Sequence, residues 1–488
     1  MMELLLTISL VGVSNVFAND INDQLLQAAQ SGNQIAVFSY LNENSIDVNA
    51  RSVDSTTALH WAVYHNNEKL VKALIKAKAD VSVKNDYGAT PMAEAAEHGN
   101  ATIIKMLIQA GADIESPNEL GQTTLMTVAR SNHIEAAKVL ITNGANINAR
   151  ERWRGQTALM WACAQRQPEM VKLLIKMGAD VNAQSNVEQW ERKVTAEPRP
   201  QNRPDGGLTA LLFASREGCA LCIKELIKGG ADINVSEPNR ITPLLMAVLN
   251  GHFDAAKVLV DAGADVNRWD MWGRAPLYAA VDFKTIPSGG RPDRPSLDNT
   301  TPLELIELLL AKGANPNMQL KLFPPYRSLG ADRGGDNMLT VGTTPLIRAA
   351  KAGDVESARV LLTHGALPNL RNSLGYTPLL AAAGLGSNTR DTRARLLVEK
   401  NNLAVAKVLI AAGADINVTD EGGRTPLHGA VERDWNAFVE FLVGSGADTD
   451  IKDKQGKTAL QSFNVKTEAN GETSAEANSE TNTETRNL

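Results

Sequence analysis

Cysteine, aromatic side chains and long apolar runs are all scarce in this chain, and each scarcity closes off a class of protein. Three cysteines among 488 residues, Cys163, Cys219 and Cys222, are too few for a disulfide scaffold, so packing must hold the fold. Aromatic residues make up 5% while alanine and leucine are plentiful, a mix that favours small stacked helices. Beyond the N-terminus no segment approaches the 18 or so uninterrupted apolar residues of a membrane-spanning helix. Basic charge is not in excess either: the formal net charge is -6. A sequence-independent nucleic-acid binder needs a basic stripe to displace counterions from phosphates, and its lack argues against nucleic acid as a partner. Zinc-type Cys and His spacing, a His-x-x-x-His pair and a glycine-rich phosphate loop are missing as well, so no metal, cofactor or catalytic residue is implied.

What is present begins with a mainly apolar run from Leu4 to Val13, followed by Val16-Phe17-Ala18 and then Asn19-Asp20. That order reads as a signal-peptide core with small residues at the cleavage positions, and cleavage is expected after Ala18. The residues before the run include Glu3 and no Lys or Arg, which departs from the usual pattern; a frayed apolar terminus is the plain alternative. Export implies a periplasmic or secreted protein, and with no cysteine beside Ala18 no lipid anchor follows cleavage. At the other end, residues 464–488 are Glu, Thr, Asn and Ser with almost nothing apolar, and Glu468, Glu472, Glu476, Glu480 and Glu484 outnumber Lys466 and Arg486. Such a tail is expected to be disordered.

A chain of this length is too long for one core of usual size, so it holds either several domains or a repeat array. Its internal spacing decides for the array. A threonine followed by Pro or Ala and then Leu recurs at Thr57, Thr90, Thr157, Thr209, Thr242, Thr344, Thr377, Thr425 and Thr458, with Thr123-Thr124-Leu125 and Ala275-Pro276-Leu277 as variants, mostly 33 or 34 residues apart. The threonine can cap a helix by accepting backbone N–H groups, and proline at the next position sacrifices no hydrogen bond. Further on come Gly111-Ala112-Asp113, Gly178-Ala179-Asp180, Gly263-Ala264-Asp265 and their equivalents, where glycine can take the left-handed conformation that ends a second helix. The apolar stretches between these signals, such as Leu173-Leu174-Ile175, need neighbouring units to bury them.

Thr57-Ala58-Leu59-His60 and Thr425-Pro426-Leu427-His428, at this period, resemble the signature of the ankyrin-repeat family over roughly residues 22–463. The resemblance implies an all-α repeat solenoid of stacked helix-turn-helix units with β-turn or hairpin fingers, and a non-enzymatic scaffold that binds a protein client through a concave face and its fingers, itself a monomer. Residues 22–50 suit an N-terminal capping repeat, followed by about ten repeats and a truncated last one. On this reading the array is one cooperative body.

Four departures from the period mark insertions. Asn182 to Thr209 is 27 residues where Asn267 to Ala275 is eight, and Asn317 to Thr344 is again 27, so the fingers at 183–207 and 318–342 are lengthened. The other two excesses, near 284–300 and 384–401, fall in the turn between the two helices of a repeat. The long fingers carry Trp190, Arg192, Phe323 and Tyr326; ordinary fingers beside them carry Arg152-Trp153-Arg154 and Trp269, Trp272 and Arg274; family geometry places Trp161 and Phe213 on the adjoining groove. Trp and Arg dominate interface hot spots, so repeats 4 to 8 are the expected binding face. Alternatively the long fingers dock back onto the solenoid, and the tryptophans stiffen fingers by stacking on arginines. Cys219 and Cys222 read as a variable position and a core position at the start of a helix, with a local disulfide or a labile thiol pair as the other readings. The expected role is an accessory or regulatory subunit of an exported protein; a secreted host-directed effector and an enzyme completed by a partner are the alternatives.

Overall fold

The computed structural model describes residues 21–43, 45–192, 201–285, 298–322, 338–386 and 398–461, with side chains omitted at 189–192 and 201–204. The signal cleavage position Ala18, the greater part of three insertions and the acidic tail lie outside the described residues. The chain divides into two compact units, the first ending at Asp180 and the second starting at Val181. The division falls where the first lengthened finger begins.

The N-terminal unit stacks helix pairs: α1 (Ile21–Gln30) with α2 (Gln34–Tyr40), α3 (Ala58–Tyr64) with α4 (Glu68–Lys76), α5 (Pro91–His98) with α6 (Ala101–Gln109), α7 (Thr124–Arg130) with α8 (Ile134–Thr142), and α9 (Ala158–Ala164) with α10 (Pro168–Lys176). The C-terminal unit opens with a hairpin, β1 (Val187–Arg192) against β2 (Gln201–Gly206), antiparallel with Trp190 opposite Arg203. Its pairs are α11 (Ala210–Arg216) with α12 (Ala220–Lys228), α13 (Pro243–Leu249) with α14 (Phe253–Asp261), α15 (Pro276–Lys284) with α16 (Pro302–Ala311), α17 (Pro345–Lys351) with α18 (Val355–Thr363), α19 (Pro378–Ala382) with α20 (Glu399–Ala411), and α21 (Pro426–Glu432) with α22 (Asn436–Gly444).

The expected punctuation is at work. Thr90, Thr157, Thr209, Thr242, Thr344 and Thr377 each accept a backbone N–H three residues on. Glycines 111, 144, 178, 263 and 413 sit at positive φ, between 88° and 102°, past the ends of second helices, as chain reversal there requires. Between the caps, Leu70, Val71, Leu74, Ile103, Ile104 and Leu107 of α4 and α6 are fully buried. Fully burying one such side chain is worth about 1.5–3 kcal/mol, and here each needs a helix of the next repeat to bury it. Thr301-Pro302-Leu303 carries the same signal as the first helices, yet its capping box with Glu304 starts the second helix α16.

A second periodic device ties repeat to repeat. Asn49 and Asn148 accept the backbone N–H of Asp80 and Asp180 at 2.7 and 2.8 Å. In the C-terminal unit Asn182, Asn234, Asn267, Asn317, Asn369 and Asn417 do the same for the following repeat at 2.8–2.9 Å. Four of them also donate back, Asn182 to Gly230, Asn267 to Gly313, Asn317 to Gly365 and Asn369 to Gly413. Each such side chain satisfies one donor and one acceptor of the neighbouring turn.

Candidate interaction surface

Two positions recur with each first helix from α3 onward, the fourth and the seventh after its N-cap residue. In the N-terminal unit these are Trp61 and Tyr64, Glu94 and Glu97, Thr127 and Arg130, and Trp161 and Ala164, and all are half-buried or exposed. Trp61, Tyr64, His65 and His98 form an aromatic cluster with ring centroids 5.3–6.4 Å apart. Arg130 donates to both oxygens of Glu97 at 3.0 and 3.3 Å. The indole N–H of Trp161 is shut off from solvent and has no acceptor. An unsatisfied buried donor is uncommon, and this one stands beside Met126, Thr127 and Arg130 on the open face.

In the C-terminal unit the same positions are closed, apart from Arg216, Met246, Leu249 and Glu432. Phe213, Ala279, Asp282, Arg348, Lys351, Ala381, Gly384 and Gly429 are buried. Two causes are visible. Charged groups are neutralised in place: Arg348 Nε donates to Asp282 Oδ1 at 2.6 Å and its NH2 to the Thr285 carbonyl at 3.2 Å, while Lys284 bonds Asp354 at 2.7 Å and Glu356 at 3.2 Å. Inter-helix residues also cross the face. A Cβ on Gly429 would lie 2.7 Å from the Ala383 oxygen and from Leu385 Cγ, so only glycine permits this approach, and Leu385 is fully buried.

Fingers of both units expose apolar side chains, Met271, Leu322 and Leu374 in the C-terminal one. An acidic side chain organises several of them: Glu151 accepts the N–H groups of Trp153, Arg154 and Gln156 at 2.7–2.9 Å, and Asp270 accepts those of Trp272 and Arg274 at 3.0 and 2.9 Å. In the N-terminal unit successive tips project apolar side chains into solvent, Tyr87 (78% exposed), Leu120 (47%) and Trp153 (55%). They are neighbours, as the N–H of Arg152 bonds the Leu120 carbonyl at 2.8 Å.

Among the residues singled out in sequence, Arg152, Trp153 and Arg154 are exposed at a fingertip, with Arg154 5.0 Å from the Trp153 ring, and Trp161 lines the open face. Phe213, Trp272 and Arg274 are buried and offer a partner no surface. Phe213 packs under Arg216. The next finger bonds Trp272 through its backbone, Lys321 and Leu322 donating to its carbonyl at 2.8 and 3.1 Å; Arg274 is held by Asp270 at 2.6 Å and lies over the Trp272 ring. Trp269 is half-buried with Arg240 4.3 Å from its ring, so stacking on arginine describes Trp269 and Trp272. Trp190 and Arg192 belong to β1, their side chains undescribed; Phe323 and Tyr326 lie outside the described residues. Cys219 and Cys222 form a disulfide across the first turn of α12, and Cys163 is a buried thiol that burial pushes far above its ordinary range. The surface residues that sequence reasoning passed over, Trp61, Tyr64, Tyr87 and Leu120, were marked only by apolar residues where the repeat template faces solvent.

The histidines have structural partners. His60 Nδ1 accepts the Thr57 N–H at 3.2 Å and its Nε2 lies 3.1 Å from the Ala89 carbonyl of the next repeat; His428 repeats this with Thr425 and Lys457. Among the described residues no cluster of three His, Cys, Asp or Glu side chains is arranged to hold a metal ion, and no helix is long and apolar enough to cross a membrane.

Stacked helix pairs that present one open face and a row of fingertips define a repeat scaffold for holding other macromolecules. The chain belongs to the ankyrin-repeat family: the family model described as "Ankyrin repeats (3 copies)" matches residues 25–118, 95–185, 195–288, 296–401 and 394–462. The putative ankyrin repeat protein YahD of Escherichia coli (strain K12) is 27% identical over 210 residues, 42% of this chain and 95% of YahD. Neurogenic locus notch homolog protein 1 of Homo sapiens is 31% identical over 186 residues, and the match spans 36% of this chain but only 7% of the notch protein. The B-cell lymphoma 3 protein homolog of Mus musculus is 28% identical over 194 residues, 39% of this chain and 35% of that protein. Among solved structures, the ankyrin repeat domain of human ASB11 aligns at a TM-score of 0.41 and 22% identity, covering 49% of this chain and 98% of that one. Arrays of this family act as protein-interaction scaffolds.

Proposed function

We propose that this protein is an exported, non-enzymatic scaffold that holds a protein client against the first-helix face and fingertips of its N-terminal unit, as an accessory or regulatory subunit. The observation that carries the reading is the contrast between two sets of equivalent positions. Trp61, Tyr64 and Trp161 stand on an open face, while Asp282, Arg348 and Lys351 are buried within their own unit. Tyr87, Leu120 and Trp153 add a row of apolar tips, and the Trp161 indole on the open face has a donor without an acceptor. Large aromatic side chains of this kind anchor interfaces, and exposed ones grouped together mark contact sites. Export is supported by the apolar N-terminal run ending at Ala18 and by the Cys219–Cys222 bond, since disulfides persist in oxidising compartments.

The test is cross-linking in living cells followed by mass spectrometry of the attached protein. Replacing Tyr87, Leu120 and Trp153 together by serine should abolish recovery of the client and leave the thermal melt unchanged. Replacing Met246 and Leu249 of the C-terminal unit by serine should leave recovery intact. The opposite pattern would move the client to the other unit and end this reading.

A further inference from the structure

A pocket of about 740 Å³ lies on the second-helix side of the C-terminal unit, between α12 and α14. That volume is within the range of small-molecule sites. Ile227 of α12, Val258 of α14 and Ala262 just past its end give it an apolar floor. Its third wall, Asn299 and Thr300, is what distinguishes it from an ordinary groove between helices. Three residues separate α11 from α12 and α13 from α14, but α15 and α16 are joined through a long insertion whose return is fixed to α14. Asp298 accepts the Phe253 N–H at 2.6 Å, and Asp254 accepts the N–H groups of Asn299 and Thr300 and the Thr300 hydroxyl at 2.7–3.0 Å. The opposite wall starts at the Cys219–Cys222 disulfide, which closes the first turn of α12. Both ends of the pocket are thus tied down.

Its charges do not cancel. Three lysines, Lys224, Lys228 and Lys257, face two carboxylates, Asp254 and Asp261, which leaves a surplus of one positive charge; Asp254 stays ionised while accepting the neutral donors just named, and Lys257 is paired with Asp261 at 3.1 Å. Lys224 and Lys228, four residues apart on α12, make no ion pair with any described residue. Two ammonium groups without a direct ion pair therefore stand over an apolar floor in a pocket of net charge +1. Flexible lysine stems can lie along such a floor while the charged ends stay in water.

We propose that this pocket binds a single-chain anionic amphiphile, its carboxylate, sulfate or phosphate head on Lys224 and Lys228 and its chain on Ile227, Val258 and Ala262. The proposal is independent of the client surface, which lies in the other unit. It is tested by isothermal titration of the full chain with octyl sulfate and neutral octyl glucoside, each below its micellar concentration. Octyl sulfate should bind one to one and more tightly than the glucoside, weakening as salt screens the lysines. The double variant Lys224→Gln/Lys228→Gln should lose about tenfold in octyl sulfate affinity, with its melting temperature unchanged, and keep its glucoside affinity. Val258→Glu should weaken both. Equal binding of the two detergents, or unchanged octyl sulfate affinity in the lysine variant, would overturn the proposal. A synthetic peptide of residues 464–488 should fail to displace octyl sulfate; displacement would give the lysines to an acidic segment instead. Co-flotation with phosphatidylglycerol vesicles that the lysine variant loses would likewise replace a bound amphiphile by a membrane contact.

Discussion

Replacing Arg348 by methionine should destabilise the C-terminal unit far more than any change on an open helix face. Arg348 and Asp282 are 6% and 4% exposed, come from helices 66 residues apart, and are joined at 2.6 Å. Methionine keeps much of the stem volume but removes the charge-assisted bond to Asp282 Oδ1 and the bond to the Thr285 carbonyl, inside a closed part of the unit. Breaking a buried pair in this way costs about 3–5 kcal/mol. With a urea dependence of about 3 kcal/mol per molar for a body of this size, the midpoint should fall by about 1–1.7 M, read by circular dichroism. The double change Asp282→Leu with Arg348→Met should recover part of the loss, because it removes the buried carboxylate that has lost Arg348 and puts an apolar side chain in its place. A shift below about 0.3 M for Arg348→Met alone would mean that water reaches the pair. The closure of this face, on which the client surface was assigned to the other unit, would then fail.

Two further outcomes follow from groups already described. Burial lowers the pKa of His60, and Nδ1 is committed to accepting from Thr57, so the folded state holds the ring neutral. With the folded value depressed, the unfolded chain takes up a proton first. Stability should decline as pH falls below the ordinary imidazole value of about 6.5 and stop declining below the folded value; in urea titrations from pH 7.5 downward, His60→Asn should flatten that slope, and an unchanged slope would remove His60 as its source. The Cys219–Cys222 bond closes a loop of only four residues, for which chain entropy gives about 2 kcal/mol; reducing the bond in the unaltered chain should lower stability by no more than that in urea titrations, and a loss above about 4 kcal/mol would require a role beyond the first turn of α12.

The helix starts and stops were legible because their chemistry is local. A threonine three residues from an unpaired N–H, or a glycine where the chain must reverse, acts within a few residues whatever surrounds it. The same locality explains Thr301, which presents a first-helix signal at the start of α16: the cap satisfies a helix end and carries no information about which helix it is. What could not be read was set by neighbours distant in sequence. Trp153 and Trp272 both stand beside arginines, yet one projects from its fingertip and the other is buried, its carbonyl bonded by Lys321 and Leu322. Likewise Asp282, Arg348 and Gly429 occupy positions that the repeat template exposes, and only their partners on other helices bury them. Hot-spot composition thus pointed to repeats 4 to 8, whereas exposure favours repeats further toward the N-terminus. The recurring asparagines were visible as landmarks in the spacing, but their two-way bonding to the next turn depends on a glycine carbonyl 44–48 residues on.

Those asparagine links have a mechanical consequence. Among the described residues every such link joins a repeat to its immediate neighbour, and none skips one. A force applied at an end would load one link at a time, together with the helix faces beside it, before reaching the next. Pulled in an optical trap, such a unit should give way in a series of small steps of similar length. The lengthened repeats would stand out in that record as longer releases of chain, spaced by their place in the stack.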